Sequence, residues 1–223
     1  MIVSRDNEKL KLVRKLHERR WRDKLGLFFV EGEDQVDAAT AEPVELLVAG
    51  ENVEPALLAE VATAGHPPRV IAVYRRADLP AAEQRPVTLA LWRVADPGNL
   101  GTLVRAADAF GAAVALSEGC ADPTGPKALR ASAGSIWRVP LLAWEAAQGR
   151  RVALVSHAGP PLGEVDLSGE VVFLLGAERA GLPEGVARDA DAWIPIRGAE
   201  SLNVGVAGAI ALYEWRRQNP PAP

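Results

Sequence analysis

Short continuous apolar runs alternate along this chain with stretches whose apolar residues recur every three or four positions. The first pattern marks strands buried on both faces, the second amphipathic helices. From residue 87 onward the strand-like runs are VTLALWRV (87–94), AAVALS (112–117), RVALVSH (151–157), VVFLLG (171–176) and WIPI (193–196). Between the first two, NLGTLVRAADAFG places Leu100, Leu103, Val104, Ala107 and Phe110 on one helical face. GPKALRASAG reads as a further helix with Pro126 near its first turn, where proline is accepted. A last helix is expected from VAGAIALYEWRRQ, entered through SLNVG. The alternation predicts an α/β fold with a parallel sheet covered on both faces.

The first third of the chain repeats the theme on a smaller scale. LGLFFVEG, VELLVAG and RVIAVY read as strands, a helix is expected over 31–39, and EPALLAEVATAG as a helix capped by Gly65. A small α/β unit over 1–78 follows. DLPAAEQRP has two prolines and no period, so residues 79–86 are expected to link it to a unit spanning 87–219, with 220–223 a frayed tail. Ahead of the first strand, residues 1–24 hold nine Lys/Arg against four acids. Leu10, Val13, Leu16 and Trp21 fall near helical spacing, which turns the basic residues outward. Such a helix suits RNA or DNA, or is a solvated surface.

Composition narrows the class. Apolar residues make up 48% and charged residues 24%, as in soluble globular proteins, and no apolar run approaches a membrane span of about 20 residues. The single cysteine, Cys120, excludes an internal disulfide, and with His17, His66 and His157 scattered no zinc spacing exists. The first residues lack the apolar stretch of a secretory signal. A cytoplasmic, metal-free protein is expected. The net charge of −4 argues only weakly against nucleic acid, given the basic N-terminal segment.

In parallel sheets ligands bind beyond the carboxyl ends of the strands, and DPGNLG, GAERAGLPEG and RGAESLN all follow strands at that end. No GxGxxG follows a strand, and Leu182 stands where a phosphate-binding loop needs lysine. No Ser–His–Asp order is recognisable. Taken singly, Asn99, Ser201 and Asn203 read as helix caps, and Glu178 as a cap or an arginine partner. Arg105 lies beside the buried helical stripe, where it either faces solvent or reaches toward an anion.

Together these residues carry more. NLGTLVRAADAFGA, FLLGAERAGLP and IPIRGAESLNVGVAGAIALYE, each behind a strand, resemble the three motifs of the SpoU (TrmH) family of RNA ribose 2′-O-methyltransferases in the SPOUT superfamily. DPTGPKALRASAGSIWRVPL resembles the stretch between the first two motifs, and KLVRKLHERRWRDKLGLFFVEGEDQV resembles an L30e-like RNA substrate-binding domain. Gly205 replaces the usual serine or alanine, and the gap between IPI and SLN is one residue shorter than in the common form.

The resemblance implies a C-terminal domain with a deep trefoil knot that binds S-adenosylmethionine. The implied cofactor residues are Leu154, Val155, Ser156, Leu175, Gly176, Ile194, Ile196 and Leu202. It implies catalytic roles for Asn99, Arg105, Glu178, Ser201 and Asn203. Arg105 would act on the ribose hydroxyl, and Glu178 would fix basic side chains. Arg5, Lys9, Arg19 and Arg20 become candidate contacts to rRNA or tRNA, and the last helix, through Val206, Ile210 and Tyr213, a homodimer interface. A non-catalytic RNA-binding protein and a base methyltransferase are the alternatives.

Overall fold

The first helix begins at a cap: the Asn7 side chain accepts from the Lys9 amide, and Glu8 sits in the first turn. In the computed structural model, which describes residues 1–63 and 65–220, the expected basic helix is two. α1 (Glu8–Leu16) buries Leu10, Val13 and Leu16. α2 (Arg19–Leu25) follows a break at His17 and Glu18 and ends on Gly26, at φ 64°, a left-handed conformation that glycine adopts without strain. It buries Arg22 and leaves Trp21 half-buried, so the basic residues do not all face outward.

β1 (Leu27–Glu31), α3 (Glu33–Asp37), β2 (Glu45–Val48), α4 (Pro55–Val61) and β3 (Val70–Arg75) complete the small unit. Its sheet runs β1-β3-β2, with β3 antiparallel to both neighbours. α4 stops at Val61, before the expected Gly65 cap. The chain leaves the helix because Glu31 captures both the amide and the hydroxyl of Thr63. Leu10, Val13, Leu16, Phe29, Leu58, Ile71 and Val73 form the core between α1, α4 and the sheet.

Residues 79–86 form no helix or strand. The larger unit then runs β4 (Val87–Leu91), α5 (Pro97–Phe110), β5 (Ala113–Leu116), α6 (Pro126–Ser132), β6 (Leu141–Ala143), β7 (Arg150–Leu154), β8 (Val171–Leu175), β9 (Ala190–Ala192) and α7 (Val204–Gln218). Its six strands lie in the order β6-β5-β4-β8-β7-β9, and every pairing is parallel. WIPI is not a strand. The last strand ends at Ala192, Trp193 makes only an isolated bridge to Pro161, and Pro195 has no N–H to extend a ladder. The expected tail, 220–223, lies outside the described residues except for Pro220.

α5 is wedged between two helices at glycine positions. A Cβ on Gly101 would lie 2.5 Å from the Ala131 Cβ of α6, and one on Gly208 of α7 would press on Leu103 and Leu175. Both helices therefore pack against α5 at close range.

The two units share a core. Phe28 and Tyr74 of the small sheet pack on Trp137, with ring centroids 5.6 and 4.8 Å away, beside Leu129 and Ile136. A polar node lies nearby. Buried Arg22 donates from Nε to Asp122 at 2.8 Å, and Arg76 donates to Asp122 and Thr124 at 2.9 and 2.7 Å. Burial raises the Asp122 carboxyl, but Thr124, Arg76 and Arg22 outweigh it and hold it below the ordinary carboxylate value.

Candidate active site

At the carboxyl ends of β7, β8 and β9 the chain encloses a cavity of about 610 Å³. Three loops build it. Residues 154–156 leave β7, residues 175–181 leave β8, and the segment after β9 contributes Ile194, Ile196 and the stretch from Glu200 to Val204, with Ala207 of α7 behind. The middle loop is closed on itself, since Ala177 and Gly181 exchange backbone hydrogen bonds at 3.1 and 2.9 Å. All eight side chains and glycines expected around a cofactor line this one cavity, as do Glu178, Ser201 and Asn203.

A directional relay ties the loops together. Asn203 is the N-cap of α7: its Oδ1 accepts from the Gly205 and Val206 amides at 2.9 and 3.3 Å. That fixes its Nδ2 outward, donating to Oδ1 of Asn99 at 2.9 Å. Asn99 Nδ2 in turn donates to Glu178 Oε1 at 3.1 Å. Backbone donors at one end and a carboxylate at the other leave neither amide free to turn round.

Glu178 also accepts from the Asp96 and Ala95 amides at 3.3 and 3.5 Å, just ahead of α5. Partial burial pushes its carboxyl up, yet these donors and Asn99 leave it below the ordinary carboxylate value. Glu178 was expected to fix basic side chains. It instead holds Asn99 and the entry of α5, because the orphan amides near that helix start supply the donors. Nor is Asn99 a cap. Asp96 caps α5 by accepting from the Asn99 amide, and Lys127 of α6 donates to Asp96 at 2.9 Å.

Gly176 has a tighter constraint than room for a ligand. A Cβ there would strike the backbone of Gly181 and Leu182, with the Gly181 carbonyl oxygen 2.6 Å away. The residue is needed to fold its own loop. Gly205, where serine or alanine is usual, sits against Thr102: an added Cβ would stand 3.1 Å from the Thr102 methyl.

Arg105 stands apart. It is exposed on α5, does not line the cavity, and its side chain makes no hydrogen bond or ion pair among the described residues. The four N-terminal RNA candidates are also remote from the cavity lining, and each has an acid beside it. Arg5 meets Glu60 at 2.8 Å, Lys9 meets Glu45 at 2.6 Å, Arg20 meets Glu18 at 2.7 Å, and Arg19 meets Asp23 at 3.7 Å.

Comparison with known proteins places this architecture. Residues 86–213 match the model of the SpoU rRNA Methylase family. The chain belongs to that family. Residues 7–77 match an MRM3-like substrate binding domain. Among relatives, the 23S rRNA (guanosine(2553)-2′-O)-methyltransferase RlmP of Bacillus subtilis is 34% identical over 96% of this chain and 98% of its own length. Among solved structures, an AdoMet-bound rRNA methyltransferase from Sinorhizobium meliloti superposes with a TM-score of 0.86 at 29% identity over 99% of this chain and 98% of that one. AviRb from Streptomyces viridochromogenes, in complex with AdoMet, gives 0.82 at 26% identity over 97% of this chain and 100% of that one. Against the family's motifs, the reading of the sequence missed two residues of the site. Asp96 was legible as a cap directly before Pro97, the first residue of the helix, while Lys127 carried no local signal.

Proposed function

We propose that this protein transfers a methyl group from S-adenosylmethionine to a ribose 2′-hydroxyl of structured rRNA or tRNA. The observation that carries the reading is the relay: two of three distant sequence motifs line one cavity, and Asn99 of the remaining one locks to them through Asn203 and Glu178. The cavity suits the cofactor. Leu154, Ile194, Ile196 and Leu202 offer apolar walls for an adenosine, and the side-chain-free Gly176 and Gly181 leave main chain open at the loop. When bound, S-adenosylmethionine supplies an electrophilic methyl.

The protein's own residues must orient the hydroxyl and manage its proton. Glu178 accepts from three donors around α5 and remains ionised, which suits a positioning carboxylate. Arg105, permanently charged and unpaired among the described residues, is suited to hold the hydroxyl and an adjacent phosphate and to stabilise developing negative charge. Because it lies outside its own chain's cavity lining, a paired second copy is the simplest way to bring it to the methyl.

An apolar face supports that pairing. On α7, Val206 is 47% and Tyr213 61% exposed, with Ile210 between them. We therefore read 87–219 as the catalytic unit and homodimer interface, with the knotted backbone of its superfamily. We read 1–78 as the RNA-binding unit, 79–86 as the link, and the cytoplasm as the place of action. No helix among the described residues is long and apolar enough to cross a membrane.

The test is direct. Purified protein, tritiated S-adenosylmethionine and total RNA should yield label in 2′-O-methylated nucleosides after digestion. Label in base-methylated nucleosides, or none, would overturn the assignment.

A further inference from the structure

α2 is inside out. Its arginine, Arg22, is buried, while its tryptophan, Trp21, stays half-exposed on the surface. Three cations surround that ring: Lys24 Nζ lies 5.1 Å, Lys15 Nζ 5.5 Å and Arg20 Cζ 5.7 Å from its centroid. One significant cation–π pair occurs roughly every 70–80 residues in proteins, so three on one half-buried ring mark an unusual surface. Among the described residues Lys15 and Lys24 have no acidic partner, unlike the four N-terminal residues first expected to touch RNA.

The helix that carries this patch touches, through its other face, a loop at the working edge of the large sheet. Arg19 of α2 donates to the Cys120 carbonyl, in the loop beyond the carboxyl end of β5. Gly119 of that loop lies against the Arg93 side chain, where an added Cβ would be 3.0 Å from Nε. Arg93 follows β4, holds a left-handed conformation at φ 51°, is exposed, and has no acidic partner among the described residues. Two residues on, the Ala95 amide meets Glu178 at the cavity. Contacts thus run without a gap from α2 to the cavity rim.

We propose that Trp21 stacks an unpaired nucleobase of RNA while Lys15 and Lys24 hold its flanking phosphates, a contact point separate from the cavity. This rests on the reading that the protein acts on RNA. Aromatic stacking supplies base affinity without sequence preference, and neighbouring cations supply the salt-dependent part. An acidic peptide would use the lysines and leave the ring idle.

The test uses the full chain, a fluorescein-labelled mixed-sequence single-stranded RNA, the duplex of the same sequence, and a poly-aspartate peptide. Trp21→Leu keeps apolar cover for the lysine stems but cannot stack. It should weaken single-strand binding about tenfold. Duplex binding should stay unchanged. Trp21→Phe should retain most of the affinity. Lys15→Gln with Lys24→Gln should flatten the salt dependence by about 1.4 in logarithmic slope, at ~0.7 per lost contact on a single strand.

The proposal is overturned if Trp21→Leu binds the single strand as the wild type does, or if it loses duplex and poly-aspartate binding equally. Wild-type methyl transfer distinguishes the two ideas. Ribose methylation with no Trp21 dependence sinks only this surface, whereas Trp21-dependent binding without any methyl transfer sinks only the enzymatic reading.

Discussion

Asn203 does two things that one substitution can separate. Its Oδ1 caps α7, and its Nδ2 starts the relay to Asn99 and Glu178. Asn203→Ala loses both. The lost cap costs about 1 kcal/mol, or roughly 2–4 °C of melting temperature in a chain of this size. Asn203→Asp keeps the acceptor at the helix start, where a negative charge contributes about 0.3–1 kcal/mol. Yet its second oxygen then faces Asn99 Oδ1. If Asn99 turns to donate to it, the Asn99 carbonyl is pushed against the Glu178 carboxylate. One relay bond is lost whichever way the amide points.

That bond is worth about 1–3 kcal/mol where the acceptor is charged. In the free protein water replaces it, because Asn203 and Glu178 are exposed. In the bound state the loop from 200 to 204 must be held. Asn203→Asp should therefore melt at the wild-type temperature or up to about 4 °C above it, while its affinity for S-adenosylmethionine, by calorimetry, drops about 5- to 150-fold. Wild-type affinity in a folded Asn203→Asp protein would show that the relay does not shape the cavity. Melting as low as Asn203→Ala would show that the cap is not what stabilises α7.

Two further outcomes are expected. Asp122→Asn should lower stability by about 3 kcal/mol, because it leaves Arg22 buried against a neutral partner. Asp122 has a depressed folded-state value, so its contribution is present above the unfolded value near ~3.9. The contribution is lost as pH falls through the lower folded value, so melts of the two proteins should converge only in that acid range. Arg105→Ala should remove most methyl transfer while leaving calorimetric cofactor affinity within about twofold, and Arg105→Lys should rescue little, since a point charge lacks the planar fork. Full turnover in Arg105→Lys would refute the orienting role.

Much of the large unit was legible because β4, β5, β7 and β8 fall within largely apolar runs. β6 was not, since three residues behind Pro140 make no run that stands out from a loop. The site was legible in its parts and not in its wiring. Asn99 and Asn203 lie 104 positions apart, so no local spacing could name them as partners. Arg22 misled for the same reason: its helical position reads as solvent-facing unless Asp122, 100 residues on, is known to cover it. Glu178 lines the cavity, and its bonds to the Ala95 and Asp96 amides were not legible, because free amides ahead of α5 are a property of the backbone and leave no mark in residue identity.

The parallel sheet has a consequence for how the molecule is made. β8 enters between β4 and β7, pairing Val87 with Val171 and Arg150 with the same residue. Synthesis therefore delivers β4 long before its central neighbour, and such remote pairings are slow to form. The small sheet can pair once β3 has emerged, but its Phe28 and Tyr74 face stays open until Trp137 arrives. The cavity closes later still, when Asn203 reaches Asn99. A growing chain thus carries its Trp21 surface well before it has any place to hold a cofactor.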